Sequence, residues 1–167
     1  LSAANTKPAQ TRREINGGYT LVGVQSHEVP FHIEAVEPLI QEACDRTGGL
    51  IDASHLLFSC LKAECQLWLV TDANGLVAAI VTEIRTHPRK KALHVIAVGG
   101  KGMSKWASCL LEIESWAESL GCEVVSGDAR PGWIKEAKKL GYRAAASVFH
   151  KELNPVRESD GQDPRRH

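Results

Sequence analysis

Two periodicities, alternation and a three-to-four-residue step, divide most of the chain into elements. The stretch KALHVIAVGG at 91–100 sets Leu93, Val95 and Ala97 alternating with His94, Ile96 and Val98. A run so nearly apolar, at that length, predicts a strand covered on both faces. Met103, Trp106, Leu110, Ile113, Ala117 and Leu120 then recur three or four apart and predict a long amphipathic helix over 103–120. Gly99, Gly100 and Gly102 lie between the two. A strand feeding a helix through glycines leaves backbone N–H groups free where the helix dipole is positive, which suits a phosphate. The same glycines also read as a tight turn with no ligand.

The rest of the chain follows in order. Residues 1–18 are polar, end in Asn16-Gly17-Gly18, and read as a flexible N-terminal arm. YTLVGVQ at 19–25 predicts a strand. A helix over 30–47 carries Ile33, Val36, Ile40 and Ala43 on one face and stops at Gly48-Gly49. Pro38 conflicts with that span and implies a kink or a later start. A second helix has Asp52 or Ser54 as its cap and Leu57, Cys60 and Leu61 inward. Strands at 66–71 and 76–85 flank Asp72-Ala73-Asn74-Gly75, a hairpin turn whose Asn-Gly tolerates positive φ. A turn at 87–90 leads into 91–100, completing an antiparallel meander. CEVVSG at 122–127 is a strand beyond the long helix, and such a crossover makes it parallel to 91–100. After Arg130-Pro131-Gly132-Trp133 comes a short helix with Ile134, Ala137 and Leu140 inward, capped by Gly141. Residues 142–153 predict a last strand, and the charged 154–167 a mobile tail. The domain therefore spans 19–153.

Composition narrows the function. The 167 residues suffice for one domain, which buries about 70% of its unfolded surface without staples. The formal net charge is zero, which argues against a general nucleic-acid binder. No apolar run is of membrane-spanning length, and no signal-peptide core is present, so no membrane partner is expected. The five cysteines are odd in number and scattered. They include no C-x-x-C and no histidine pair at zinc spacing, so no metal is expected. Several fall on apolar positions, where a reduced thiol is a small hydrophobe, favouring a reducing, cytoplasmic setting.

The element order resembles the GNAT superfamily of acyl-CoA-dependent N-acyltransferases over residues 19–153. The glycine turn before the long helix and the closing AKKLGYRAAASVFHKEL carry the likeness. The set LWLV, VTEI, GGKGMSKW, ESWAESLGC, RPGW, LGY and HKEL is similar to the GNAT-like proteins encoded by tailed bacteriophages and prophages. The resemblance implies an α/β (α+β) fold. Its sheet is mixed and mostly antiparallel, with one parallel pair, 91–100 and 122–127, splayed apart, and helices flank it. Acetyl-CoA, or another acyl-CoA, would lie in the splay. Its pantetheine arm would pair with backbone around Ile96, Ala97 and Val98. Its pyrophosphate would sit at Gly99, Gly100, Lys101 and Gly102, with Met103 and Ser104 following.

The chain departs from the superfamily in several places. The usual loop is Gln/Arg-x-x-Gly-x-Gly/Ala. Alignment without gaps puts Lys101, Ser104 and Trp106 at its marked positions, and an indole then stands where phosphate must approach backbone. A shift of one turn brings Gly100 and Gly102 to the glycine positions and Ala97 to the first. The tyrosine that many members use to protonate the leaving thiolate is Ala137 here, and the usual asparagine near the start of that helix is missing. Tyr142, after Gly141, sits at a position that usually packs. The two-strand finish is reduced to one strand.

Acyl transfer to an amine needs a base and a polarised carbonyl. Glu83 is the first candidate base, and it also reads as a solvated partner of Arg85. His94 is the second, and it also reads as a hydrogen-bonded core histidine. A strand N–H near Val98 would meet the oxyanion. Lys101 and Lys105 would contact phosphate, or the nucleotide's 3′-phosphate, or else face solvent. Arg130 and Trp133 frame a turn at the C-terminal edge of the parallel pair, with Trp133 as a hydrophobic anchor, and Trp106 and Trp116 belong to a core or interface. The expected activity is acetyl transfer from acetyl-CoA to the amine of a small molecule or protein, by direct attack in a ternary complex. The alternative is a non-catalytic GNAT-fold bacteriophage structural or assembly protein, whose partner is another phage structural protein and whose place is the virion. A CoA-binding regulator is a third reading.

Overall fold

The computed structural model describes residues 12–15, 17–46, 48–128, 131–146 and 151. In chain order they form β1 (Arg12–Ile15), β2 (Tyr19–Val24), a 3-10 helix (Ser26–Phe31), α1 (Ile33–Asp45) and α2 (Ala53–Leu61). Then come β3 (Gln66–Asp72), β4 (Gly75–Thr86), β5 (Lys91–Gly100), α3 (Met103–Trp106), α4 (Cys109–Ser119), β6 (Val124–Gly127) and α5 (Pro131–Lys139). The strands form one sheet in the order β1-β2-β3-β4-β5-β6. Every neighbouring pair is antiparallel except β5 and β6, which run parallel. This is the mixed α/β sheet that the sequence predicts.

Alternation along the strands feeds a core on each face. Leu67 and Leu69 of β3, with Val81, pack on Val36 and Ile40 of α1 and Leu57 and Cys60 of α2. Trp68 and Val70, with Ile80 and Leu93, pack on Leu110, Ile113 and Trp116 of α4. Each such side chain, fully buried, contributes about 1.5–3 kcal/mol, so both faces of the sheet are firmly covered. α2 starts where Asp52 accepts from the His55 N–H at 2.7 Å, the cap expected there. The hairpin after β3 is held by Asp72 Oδ1, which accepts from the Asn74 N–H at 2.7 Å.

Several boundaries differ from the sequence reading. Residues 12–15, expected in the arm, pair with β2 from Arg12↔Val22 to Ile15↔Tyr19. Gly17 and Gly18, at φ 93° and 79°, make the reversal that allows it. α1 starts at Ile33 and runs through Pro38, which can donate no bond to the Glu34 carbonyl. The single long helix over 103–120 is two helices. At the junction the N–H groups of Leu110 and Leu111 bond the carbonyls of Ala107 and Ser108, three residues back. That tightening ends one α-helix and begins the next. Residues 142–146, expected to open the last strand, are not in a strand; 147–150 and 152–153 lie outside the described residues, as does Arg130. Among the described residues no helix is long and apolar enough to cross a membrane.

Candidate functional site

β5 and β6 part company midway along β5. Their pairing runs from Ala92↔Val124 to Val95↔Gly127 and then ends. β5 continues to Gly100 with no strand beside it on that edge among the described residues. On its other edge β5 stays paired with β4 up to Ala78↔Gly100, with one irregularity. Val81 pairs with Ala97 and Thr82 with Val95, so Ile96 is an inserted residue. Ile96 and Ala97 consequently both pack toward α1 and α2, while Val95 and Val98 pack toward α4.

A cleft of about 890 Å³, counted to its open mouth, fills the space where the strands diverge. β5 lines it with residues 95–100, and α1 with Leu39, Glu42, Ala43 and Arg46. Met103 and Leu110 close it on the α4 side. Ser126, Gly127 and Asp128 form the β6 rim, and Trp133, Ala137 and Tyr142 face them. The walls are mainly apolar or backbone, with Arg46 paired to Glu42 at one side. An elongated acyl carrier suits such a site, since a free strand edge offers regularly spaced backbone donors and acceptors.

The glycine loop has a different logic from that expected. A Cβ on Gly99 would stand 2.0 Å from the Leu39 carbonyl oxygen, and one on Gly100 would stand 2.6 Å from that of Val77. These two glycines therefore let α1 and β4 approach β5 closely. Gly102, at φ 66°, starts α3 in the left-handed region, with only Lys105 Cδ at 3.9 Å. α3 is a single turn of four residues, so the dipole argument for a phosphate there loses most of its force. Ile96, Ala97, Val98, Gly99, Gly100 and Met103 line the cleft. Lys101, Gly102, Ser104 and Lys105 do not; Ser104 borders a separate hollow with Gly132, Trp133 and Glu136. Trp106 leaves the cleft open. Its ring is buried under the loop, donates Nε1–H to the Lys101 carbonyl at 2.8 Å, and meets Trp133 edge-on at 6.4 Å.

The two candidate bases are cross-strand neighbours with different partners. Glu83 is bound by Arg85 Nε at 2.9 Å and lies away from the cleft lining. His94 is half-buried, and its Nδ1 stands 3.0 Å from Ser126 Oγ, which links it to the rim. Burial pushes the His94 pKa below the ordinary 6.5, Arg85 adds to this, and the charges of Asp128 and Glu83 oppose it. The ring is thus neutral at pH 7.

Tyr142, expected to pack, lines the cleft and donates its hydroxyl to Glu114 at 2.5 Å. Burial and that bond push the phenol's pKa up, so it stays protonated. Ala137 lines the same cleft without a polar atom. Sequence reasoning missed Ser126, Asp128, Glu42 and Arg46. The one signal available was the change from apolar to small polar residues at the end of VVSG. The cysteines Cys44, Cys60, Cys65, Cys109 and Cys122 are buried and form no disulfide with one another. Among the described residues no group of His, Cys, Asp and Glu could hold a metal.

No family model matches the sequence, and no curated protein matches it. Solved structures do match in shape. A ribosomal-protein-alanine N-acetyltransferase from Brucella melitensis superposes with a TM-score of 0.60 at 11% identity, over 81% of this chain and 99% of that one. An aminoglycoside acetyltransferase from an uncultured soil metagenomic sample, in complex with sisomicin, gives 0.57 at 12%, over 84% and 99%. A GNAT family acetyltransferase from Staphylococcus aureus gives 0.53 at 13%, over 81% and 99%. The splayed sheet described above is therefore the fold of the GNAT acetyltransferases.

Proposed function

We propose that the protein transfers an acyl group from acetyl-CoA, or a related acyl-CoA, to an amine. The observation that carries this reading is the unpaired edge of β5 at 96–100, facing a cleft that none of the described side chains plugs. The donor fits that edge as a substrate: the backbone of Ile96, Ala97 and Val98 would hold its amide-bearing arm. The fit is weaker at the phosphate end, where Gly99 and Gly100 are taken up by packing and, among the described residues, the exposed Lys101 and Lys105 offer charge.

Each remaining role falls to a group of this chain. Backbone N–H groups of β5 beyond Val95 would stabilise the oxyanion. Tyr142 lines the cleft where Ala137 offers nothing, and by turning its hydroxyl away from Glu114 it would hydrogen-bond the leaving sulfur. His94, neutral at pH 7, is the base, and Glu83 is reassigned to its ion pair with Arg85. The acceptor is a small-molecule or protein amine, and Asp128 on the rim would favour its ammonium. Buried reduced thiols and an acyl-CoA donor both suit the cytoplasm. Calorimetric titration with acetyl-CoA tests the reading: saturable heat with the protein is expected, and none at millimolar ligand overturns it.

Ala137 motivates a second reading, a non-catalytic bacteriophage assembly protein on the same fold. A chain that binds acetyl-CoA and acylates amines excludes it. A chain that binds none, and assembles with a phage structural protein, supports it.

A further inference from the structure

We propose that Ser126 is a nucleophile activated by His94, so that the cleft carries the acyl group on the protein before passing it to water or an amine. This rests on the cleft being an acyl-thioester site and goes beyond that by naming the atom that becomes acylated. It also replaces direct attack by the amine with a two-step route.

Several observations meet at Ser126. In the register it lies opposite His94, one step before the last pair of β5 and β6, so it stands at the apex of the splay. It lines the cleft, and its Oγ is 3.0 Å from His94 Nδ1. Glu83 lies opposite His94 on the other side, across β4 and β5. The register thus draws a carboxylate, an imidazole and a hydroxyl into one row across the sheet. A base beside a hydroxyl is the pairing that makes serine nucleophilic, and here a carboxylate's charge lies across the strand from the base. Glu83 is held by Arg85, so it acts on His94 through its field rather than as a proton acceptor. The groups facing His94 pull in both directions: Arg85 and His87 favour the neutral ring, while Asp128 and Glu83 favour the imidazolium that forms during attack.

The chemistry balances without a further reactant. With the ring proton on Nε2, Nδ1 takes the proton of Ser126 Oγ–H. The Oγ lone pair forms a C–O bond to the acyl carbon. The C–S bond breaks, its electron pair leaves with sulfur, and sulfur takes the proton from His94 to give the free thiol. Water, or an amine, then gives a proton to His94 and attacks the ester carbon. The bond to Ser126 breaks, and Oγ recovers its proton. The product is a carboxylic acid or an amide.

The test treats the full chain with a fluorophosphonate, whose serine adduct does not turn over, and separately with acetyl-CoA quenched in acid. Tandem mass spectrometry should place the phosphonyl group, and the acetyl group, on Ser126. Ser126→Ala should lose both, and His94→Gln should slow labelling by roughly 10²–10⁴-fold. The labelling rate should fall as pH drops below the ordinary histidine value of 6.5, as His94 protonates. Site mapping on the unsubstituted chain decides the question even where a variant fails to fold. Phosphonylation of Ser126 without calorimetric binding of acetyl-CoA upholds Ser126 as a nucleophile activated by His94 and overturns acetyl-CoA as its acyl donor. Binding of acetyl-CoA with no modification of Ser126 by either reagent overturns the inference and leaves the donor reading standing. Labelling that survives Ser126→Ala, or ignores His94→Gln, also overturns it.

Discussion

The two halves of β5 are both largely apolar and do different work. Residues 92–95 have a strand on each side, and residues 96–100 have one only toward β4. In the first half the backbone groups are spent on the sheet, and Leu93 is fully buried. In the second half one edge is left for something else, and the side chains face a cleft. The first half holds His94 and the second ends in Gly99 and Gly100, but the difference in edge pairing comes from where β6 ends and from the residue inserted at Ile96.

Substitutions can break or sharpen this contrast. Leu93→Ala in the paired half should cost about 3–5 kcal/mol, read by urea denaturation, because it empties a fully buried site. The protein that remains folded should bind acetyl-CoA with unchanged affinity. Gly99→Ala in the open half should cost about 3 kcal/mol, because its Cβ would collide with the Leu39 carbonyl and push α1 away. Unlike Leu93→Ala, it should also weaken acetyl-CoA binding, since Leu39 lines the cleft.

Tyr142→Phe should slow thiol release from acetyl-CoA by about 10²-fold with little change in affinity, if the phenol donates to the leaving sulfur. An equal loss of affinity would make it a packing residue. Glu83→Gln should change stability by less than about 1 kcal/mol, because its pair with Arg85 is exposed to water.

The smallest effect is a pH dependence. The pKa of His94 is lower in the folded chain than its ordinary 6.5, so the unfolded chain binds the proton more readily. Stability should therefore be complete above 6.5 and decline as pH falls from there toward the folded value. His94→Gln should remove that part of the decline in thermal melts taken across this range.

The halves also mark how far the sequence could be read. Alternation and the Asn-Gly hairpin were enough for the meander, and the crossover rule was enough for the parallel pair. Glu83 and Arg85, two apart on a strand, necessarily share a face, so their ion pair was legible. β1 was not, because Arg12, Arg13 and Glu14 are exposed on an edge and carry no alternating pattern. The break between α3 and α4 was hidden because Trp106, Cys109, Leu110 and Ile113 keep helical spacing through it. Gly99 and Gly100 look like a phosphate loop in the sequence. Only the approach of Leu39 and Val77 shows them to be packing glycines. Ser126 was invisible for a similar reason. Alternation assigns it a face, but the point where two strands separate depends on what the rest of the molecule inserts between them.

Hydrogen exchange along β5, with and without acetyl-CoA, tests the account most directly. Saturating acetyl-CoA should slow exchange of the amides at 96–100 and leave those at 92–95 as they were. Equal protection of both halves, or no change in either, would contradict the claim that the open edge of β5 holds the acyl donor.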